Sequence, residues 1–198
     1  MARTIAKDHD EKRGMIRKTA AKIFAEQGFD RASMSLLARE AGISKANIYH
    51  YYNSKDALLF DLLDTKLFAL LERIQSVDVS TMSPRMALQA TLTEILLAYE
   101  GEDYEHQVQN TQLGLLPPEQ QKVLVGYQRD MVRHLSDLLV AACPAPFEEN
   151  SAKLRATTMS MFGMLNWFYM WEPTATQDQR RDYAELITTL VLDGSSGI

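Results

Sequence analysis

The chain has 198 residues, of which 46% are hydrophobic and 24% charged, a composition typical of a soluble globular protein rather than a disordered one. It has no apolar run of about 18 residues that could span a membrane, and residues 1–10 lack the apolar core of a secretory signal. Its single cysteine, Cys143, excludes an internal disulfide and a zinc site built from several cysteines. These features predict a reducing, cytoplasmic location without a membrane partner.

The net charge of -5 hides an asymmetry between the start of the chain and the rest. Residues 1–55 contain 11 lysines and arginines and 6 acidic residues, a net of +5, whereas residues 56–198 have a net of -10. A basic segment on an acidic body is typical of a protein in which only the basic part meets a polyanion such as nucleic acid. The alternative is a solvated helix face that happens to be basic, and charge alone leaves both interpretations open.

Hydrophobic spacing is helical along nearly the whole chain, and caps or breakers separate each predicted helix from the next. Gly28 and Gly42 follow the first and second helices, while Ser33, Ser44 and Ser54 can cap the second, third and fourth. The prediction is an all-α fold of about nine helices. They are expected over residues 11–27, 34–41, 45–51, 55–75, 84–99, 102–115, 119–142, 147–171 and 177–193.

The segment from Gly28 to Leu58 contains the clearest functional pattern. A tight turn over residues 41–44 joins its two short predicted helices, and apolar residues are spaced to pack both against the first helix, which predicts a helix-turn-helix. A helix of about two turns is not stable alone, so the second one depends on this packing. Its polar, aromatic and cationic side chains suit phosphate contacts and base reading in a major groove. They are Lys45, Asn47, Tyr49, His50 and Tyr51.

Many positions of this segment agree, in register, with a known signature. They are Gly28-Phe29, Ser33-Met34, Leu37-Ala38, Ala41-Gly42-Ile43-Ser44-Lys45, Ile48-Tyr49, Tyr51-Tyr52, Ser54-Lys55 and Leu58. Over about residues 11–60 the chain therefore resembles the DNA-binding region of TetR-family transcriptional regulators, and its length and nine-helix pattern are similar as well. Ala46 stands where glycine is frequent in that family, and Tyr52 stands where phenylalanine is usual.

The resemblance implies two domains and a set of DNA contacts. Residues 1–55 are expected to form the helix-turn-helix DNA-binding domain, and residues 56–198 the ligand-binding and dimerisation domain. Serine caps at the two short helices would bring backbone N–H groups to phosphates, and the other contacts would come from the second short helix and the start of the next. The implied DNA-binding residues are Ser33, Ser44, Lys45, Asn47, Tyr49, His50 and Lys55. The alternatives are a buried core position for Tyr49 and a solvated surface position for Lys55.

The C-terminal helices predict an apolar site and a self-association surface. Residues 147–171 are apolar on nearly all sides, and with residues 177–193 they match by position the helices that pair across a two-fold axis in the TetR family. The expected homodimer interface is Tyr183, Leu186, Ile187, Leu190 and Val191. The expected effector-binding residues, for which plain core or interface is the alternative, are Tyr127, Met131, Met164, Trp167 and Phe168.

The run Phe162-Gly163-Met164-Leu165-Asn166-Trp167, with Trp171-Glu172-Pro173, resembles a smaller subset of the family. That subset regulates the breakdown of fatty acids, sterols and aromatic acids and senses acyl-CoA thioesters. It implies a repressor released from a palindromic operator by an acyl-CoA or a related hydrophobic acid. Basic residues that could meet CoA phosphates are Arg129, Arg133, Lys153 and Arg155. The acidity of residues 56–198 disfavours a polyanion, so a hydrophobic drug stays open as the effector.

Patterns for catalysis are not found in the sequence. The four histidines lack metal-ligand spacing, and neither a glycine-rich phosphate loop nor a G-x-S-x-G nucleophile motif occurs. We therefore expect no enzyme activity, no cofactor and no metal. The remaining alternative to a DNA-binding regulator is a helical interaction or scaffold protein that uses its helix-turn-helix for protein contacts.

Overall fold

The computed structural model describes the backbone of residues 2–197 and the side chains of residues 9–195. This part of the chain forms nine α-helices and three short 3-10 turns without a strand, which confirms the predicted fold class. The helices are α1 (Ala2–Gln27), α2 (Met34–Glu40), α3 (Lys45–Tyr51), α4 (Lys55–Gln75), α5 (Pro84–Ala98), α6 (Asp103–Gln112), α7 (Pro118–Ala142), α8 (Ser151–Trp171) and α9 (Gln177–Asp193). No helix among the described residues is long and apolar enough to cross a membrane.

Helix ends follow the local signals of the sequence. The side chains of Ser33 and Ser44 accept hydrogen bonds from the backbone N–H groups of Leu36 and Asn47, both at 3.1 Å, and so cap α2 and α3. Gly42 takes a φ of 66°, a left-handed conformation that ends α2 and turns the chain towards α3. The bounds of α3, α4 and α9 agree with the prediction.

Two predicted helix starts are wrong. The first helix begins at Ala2 rather than at residue 11, because residues 2–10 lack the apolar spacing used for the prediction but contain no helix breaker. The helix predicted from residue 147 begins at Ser151. A 3-10 turn at Ala145–Phe147 precedes it, and the Asn150 side chain accepts from the Lys153 N–H at 2.9 Å to form the cap.

The chain divides into two compact units. The first contains the residues up to Lys66 together with Tyr104–Leu124, and the second contains Leu67–Asp103 together with the residues from Val125 onward. The first half of α4 thus belongs to the same unit as α1 to α3, and the predicted domain division at residue 55 stays a prediction. Since α4 is one continuous helix, it begins in the first unit and ends in the second.

In the first unit, α1 packs against the two short helices. Its apolar stripe is almost wholly buried, and so are the inward residues of α2 and α3. Ala38 and Ala41 are small enough to let α2 and α3 cross closely. The buried residues of this three-helix core are Ile16, Ala20, Ile23, Phe24, Leu37, Ala38 and Ile48.

In the second unit, α5 packs along α9. Leu88, Leu92 and Ile95 of α5 and Ile187 of α9 are wholly buried. The guanidinium of Arg180 is also buried: it donates to the carbonyl oxygen of Leu96 at 3.0 Å and lies 5.6 Å from the centre of the Phe168 ring. A cation at the last carbonyls of α5 complements the helix dipole there.

Candidate nucleic-acid interface

α3 turns one face to the core and the opposite face to solvent. Ile48 is wholly buried, whereas Lys45, Tyr49 and His50 are exposed and Asn47 is half-buried. Lys45 and Tyr49 are four residues apart, so they lie on the same side of the helix. With 46% of its surface exposed, Tyr49 is not a core ring, and the alternative offered for it by the sequence is wrong. The exposed face combines a cation, an amide, a phenol and an imidazole, a set of groups that can contact phosphates and base edges.

Ser33 and Ser44 stand at the exposed N-termini of α2 and α3. Each side chain satisfies one backbone N–H of the first helical turn, so the capping role predicted for both residues is present. The other N–H groups of a first turn have no partner within the helix and can donate to an anion. Phosphate contacts at these two helix ends stay a prediction.

Lys55 is engaged within the protein. Its ammonium donates to the carbonyl oxygens of Phe29 and Ala32 at 2.5 and 3.0 Å, and its Nζ lies 4.2 Å from the centre of the Phe29 ring. These bonds tie the start of α4 to the loop between α1 and α2. In this conformation the side chain is neither a solvated surface lysine nor directed at a ligand outside the protein. Its contribution is to hold the loop that leads into α2.

The carboxylate of Asp61, on α4, accepts hydrogen bonds from three side chains elsewhere in the first unit. Asp61 accepts from Arg13 at 2.5 Å, from Arg17 at 3.0 Å and from the hydroxyl of Tyr52 at 2.6 Å. Burial raises the pKa of the Tyr52 hydroxyl, and its bond to Asp61 raises this pKa further. The hydrogen bond with Tyr52 is the main cause of the raised pKa of Arg13. Sequence reasoning missed this cluster, although the spacing of four between Arg13 and Arg17 places both on one side of α1.

α6 completes the first unit at the C-terminal end of α1. The side-chain amide of Gln112 is buried and donates to the Phe24 carbonyl at 2.7 Å, and that of Gln107 donates to the Ala25 carbonyl at 3.2 Å. The last carbonyls of a helix have no partner within it, and these amides add donors there, although the Phe24 carbonyl also accepts from the Gly28 N–H at 3.0 Å. Nothing in the sequence pattern linked α6 to α1, since 88 residues separate Gln112 from Phe24.

The predicted effector-binding residues lie in different surroundings. Trp167 is 60% exposed, and its assignment to an effector pocket stays a prediction. Tyr127 lies edge-on to Phe68 of α4 with ring centres 5.8 Å apart, and Met131 is buried. Met164 and Phe168 lie near α9. The Phe168 ring stacks on the Tyr183 ring with centres 4.6 Å apart, and the Met164 carbonyl accepts from the Tyr183 hydroxyl at 3.5 Å. A cleft of about 240 Å³ opens beside Phe168.

The predicted self-association residues separate into two groups. Ile187 is wholly buried within a single chain and packs in the core between α5 and α9, so its assignment to an interface is wrong. The other four are half-buried and keep accessible surface, and they are Tyr183, Leu186, Leu190 and Val191. α8 adds an exposed apolar stripe, at helical spacings of four, four and three, that the sequence did not separate from the core. We call it the α8 stripe: Met159, Gly163, Trp167 and Met170.

Comparisons with known proteins agree with this architecture. The family model for bacterial regulatory proteins of the tetR family matches residues 16–62, and the model for the tetracyclin repressor-like C-terminal domain matches residues 81–195. A crystal structure of a TetR-family transcriptional regulator from Bordetella parapertussis is 33% identical, with 94% of this chain and 96% of that chain covered and a TM-score of 0.85.

Two further relatives show how far the likeness extends. The uncharacterized HTH-type transcriptional regulator YuxN of Bacillus subtilis is 37% identical over 83 residues, which cover 42% of this chain and 28% of YuxN. The match to that curated relative thus spans well under half of its length. The structure of AibR in complex with isovaleryl coenzyme A and operator DNA covers 89% of this chain and 96% of AibR at 21% identity, with a TM-score of 0.71. At that identity the likeness shows the fold alone.

Proposed function

We propose that this chain, which belongs to the TetR family of bacterial regulatory proteins, is a transcriptional regulator that binds duplex DNA as a homodimer. The observation that carries the proposal is the exposed face of α3. This helix buries only Ile48 and carries exposed Lys45, Tyr49 and His50 and half-buried Asn47, a set of side chains that fits a major groove. The net charge of +5 on residues 1–55 adds attraction to the phosphate backbone.

The second copy of the chain is proposed to cover the α8 stripe. Trp167 and Met170 are both more than half exposed, and Gly163, between Met159 and Trp167, presents open space where a side chain would project. Large contiguous apolar surface is rare on monomeric proteins and marks an association site. The half-buried residues of α9 (Tyr183, Leu186, Leu190 and Val191) extend this surface, so the interface combines α8 and α9 from each copy.

A two-fold dimer presents two copies of α3, one for each half of an operator. Half-sites read by such a pair lie about one helical turn or a multiple of it apart, about 34–36 Å for one turn, and their sequences form an inverted repeat. We propose that the bound protein represses transcription, in keeping with the family that the helix-turn-helix segment resembles.

The proposed effector is an acyl-CoA thioester or a related hydrophobic acid. Buried Met131 and Phe168 give the second unit an apolar interior, and AibR, which shares the fold, binds isovaleryl coenzyme A. α4 begins in the first unit and ends in the second, so a ligand that shifts it would move the start of α4 and with it the loop held by Lys55. A ligand that prefers the shifted conformer lowers operator affinity, and operator DNA lowers ligand affinity by the same factor.

Selection from a random-sequence duplex library tests the DNA-binding proposal. The expected outcome is enrichment of an inverted repeat, which we call the operator duplex. The variant Asn47→Ala should lose preference at a base position of each half-site, while Lys122→Ala, at an exposed lysine of α7, should select the same sequence as the unchanged chain. If no sequence is enriched and no duplex is bound, the protein is an interaction or scaffold protein instead.

Calorimetry tests the effector proposal. Short-, medium- and long-chain acyl-CoAs and aryl-CoAs are titrated beside the matching free acids, and release of the operator duplex is followed in parallel. The proposal predicts that at least one CoA thioester binds and releases DNA. If only free acids or only cationic drugs bind and release DNA, the thioester assignment is wrong, but the proposal of a DNA-binding regulator still holds. If nothing apolar binds, the apolar residues of the second unit are core and interface only.

A further inference from the structure

We infer that Tyr52 and Asp61 form a positioning pair that fixes α3 against α4 and α1, and that this pair sets how well the chain distinguishes its operator from other DNA. The inference rests on the proposed function. It assigns a role to the hydroxyl of Tyr52. Phenylalanine, which is usual at this position in the family, has no hydroxyl. The ring alone would satisfy the packing, so the hydroxyl requires a separate explanation.

α3 is held at its middle and at its two ends. Of its seven residues only Ile48 is buried, so a single side chain anchors the middle of the helix. The turn at residues 41–44 holds its N-terminal end, where the Ile43 N–H donates to the Ala38 carbonyl at 2.9 Å. The C-terminal end is held at Tyr52, whose N–H donates to the Ile48 carbonyl at 2.9 Å and caps the helix. Ring contacts of His50 and Tyr51 with His9 of α1 also reach this end, so the rotation and tilt of α3 depend in part on where Tyr52 is fixed.

The hydroxyl of Tyr52 fixes that end to a rigid partner. It donates to Asp61 at 2.6 Å, and the same carboxylate is held by Arg13 and Arg17 of α1. The Tyr52 side chain is almost wholly buried, and only a fifth of the Asp61 side chain is exposed. Hydrogen bonds to a charged acceptor are stronger than neutral ones and are directional. The Asp61 carboxylate of α4 thus binds both α1 and the C-terminal end of α3.

Loss of this pair should affect base reading more than backbone contact. Base-edge hydrogen bonds require side chains placed to within about 0.5 Å, whereas phosphate attraction depends mainly on charge. Tyr52→Phe keeps the buried ring and every charge, so it removes only the orienting bond. Asp61→Asn removes a negative charge close to the DNA-binding face, which by itself favours DNA. A fall in operator preference in both variants, with no fall in affinity for other DNA, is then explained by the position of α3.

The test compares affinities for the operator duplex and for a shuffled duplex of the same composition. Tyr52→Phe is expected to lower the ratio of the two affinities about tenfold, the effect of losing one charge-assisted hydrogen bond. Asp61→Asn, which also weakens the bonds to Arg13 and Arg17, is expected to lower it at least as much. Affinity for the shuffled duplex should not fall, and its salt dependence should stay the same. Adding Tyr52→Phe to Asp61→Asn should lower the ratio less than Tyr52→Phe does in the unchanged chain, because the bond to the Asp61 carboxylate is already weakened.

Tyr99→Phe is the matched control. The Tyr99 hydroxyl is also buried and donates to the Asn166 side chain at 2.8 Å, but it lies in the second unit. This control should retain the operator ratio of the unchanged chain. The inference would be overturned if Tyr52→Phe changed the ratio of operator to shuffled-duplex affinity by less than twofold. It would also be overturned if Tyr99→Phe lowered this ratio as much as Tyr52→Phe does.

Amide hydrogen exchange of the DNA-free protein separates this inference from the proposed function. Tyr52→Phe is expected to speed exchange along α3 about tenfold without changing exchange in α5 or α9. If the unchanged chain binds no duplex, the proposed function is wrong, and exchange still decides whether the pair positions α3. If the amides of α3 are equally protected from exchange in the variant and in the unchanged chain, the pair does not position α3.

Discussion

Trp167 offers the sharpest test of the proposed dimer. It lies in the middle of the α8 stripe, and 60% of its surface is exposed in one chain. Trp167→Lys places a charge where the second copy is proposed to pack, without removing a group that the single chain buries. We expect the variant to fold as a monomer and to lose operator binding, because one α3 alone reads only one half-site.

The magnitude follows from the exposed surface. A tryptophan buries about 150–250 Å² when it is fully covered, so the exposed 60% amounts to about 90–150 Å². At about 25 cal/mol per Å², covering it stabilises the dimer by about 2–4 kcal/mol per copy, and two-fold symmetry doubles this. Ordering of side chains on association offsets part of the gain. We therefore expect the dissociation constant to rise at least about a hundredfold, which corresponds to about 3 kcal/mol.

Sedimentation or light scattering over a concentration series measures this change. The matched control is Met86→Lys on α5, because Met86 is equally exposed at 57% but lies outside the α8 stripe. Met86→Lys should remain dimeric and bind the operator duplex. The reasoning is refuted if the unchanged chain is a monomer, or if Trp167→Lys dimerises as tightly as the control.

Three further predictions concern single side chains. Asn47→Ala should relax discrimination at one base position by about 1–3 kcal/mol if the amide reads an adenine through two bonds, as measured with base-substituted duplexes; equal discrimination would place Asn47 off the base edges. Lys55→Met should lower the free energy of unfolding in urea by about 1–3 kcal/mol, because the carbonyls of Phe29 and Ala32 lose their donor; unchanged stability with a weaker salt dependence of DNA binding would instead make Lys55 a phosphate contact. Burial raises the pKa of the Tyr99 hydroxyl, so the unfolded state loses this proton first, and the free energy of unfolding should fall as the pH rises above about 10. In urea titrations between pH 8 and 11, Tyr99→Phe should make this fall less steep. An identical pH profile in the variant and the unchanged chain would contradict the prediction.

Local signals in the sequence predicted the helices well. The apolar period of 3.6 residues and the caps at Ser33 and Ser44 act within one or two turns, so they can be recognised without knowledge of the fold. The errors at the starts of α1 and α8 also have local causes. Residues 2–10 are helical without an apolar stripe, and Phe147 belongs to a 3-10 turn that precedes the cap at Asn150.

The destination of an apolar face could not be predicted from its pattern. Ile187 and Trp167 both lie on apolar stripes at helical spacing, yet one is wholly buried in its own chain and the other is mostly exposed. A stripe looks the same in the sequence whether it faces its own core, a ligand or a second copy. Only the packing of α5 on α9 decides that Ile187 is core and leaves the α8 stripe uncovered.

Polar contacts between distant segments were also beyond the sequence. Arg13, Arg17 and Asp61 are charged residues of the kind that usually marks a solvated face, and 44 to 48 residues separate the arginines from the aspartate. Their contact with Tyr52 depends on the crossing of α1 with α4, which no spacing rule specifies. The exposed residues of α3 were predictable because both their signal and their role lie within one short helix.

The central claim is that the exposed face of α3 reads DNA from a dimer, and titration of the operator duplex tests it most directly. Fluorescence anisotropy over a series of salt concentrations gives both the affinity and its salt dependence, and sedimentation of the complex gives its composition. We predict at least two chains per duplex, an affinity that falls steeply and linearly with salt on logarithmic axes, and a preference of about a thousandfold or more over the shuffled duplex. Equal affinity for the two duplexes, or no binding at low salt, would contradict the account.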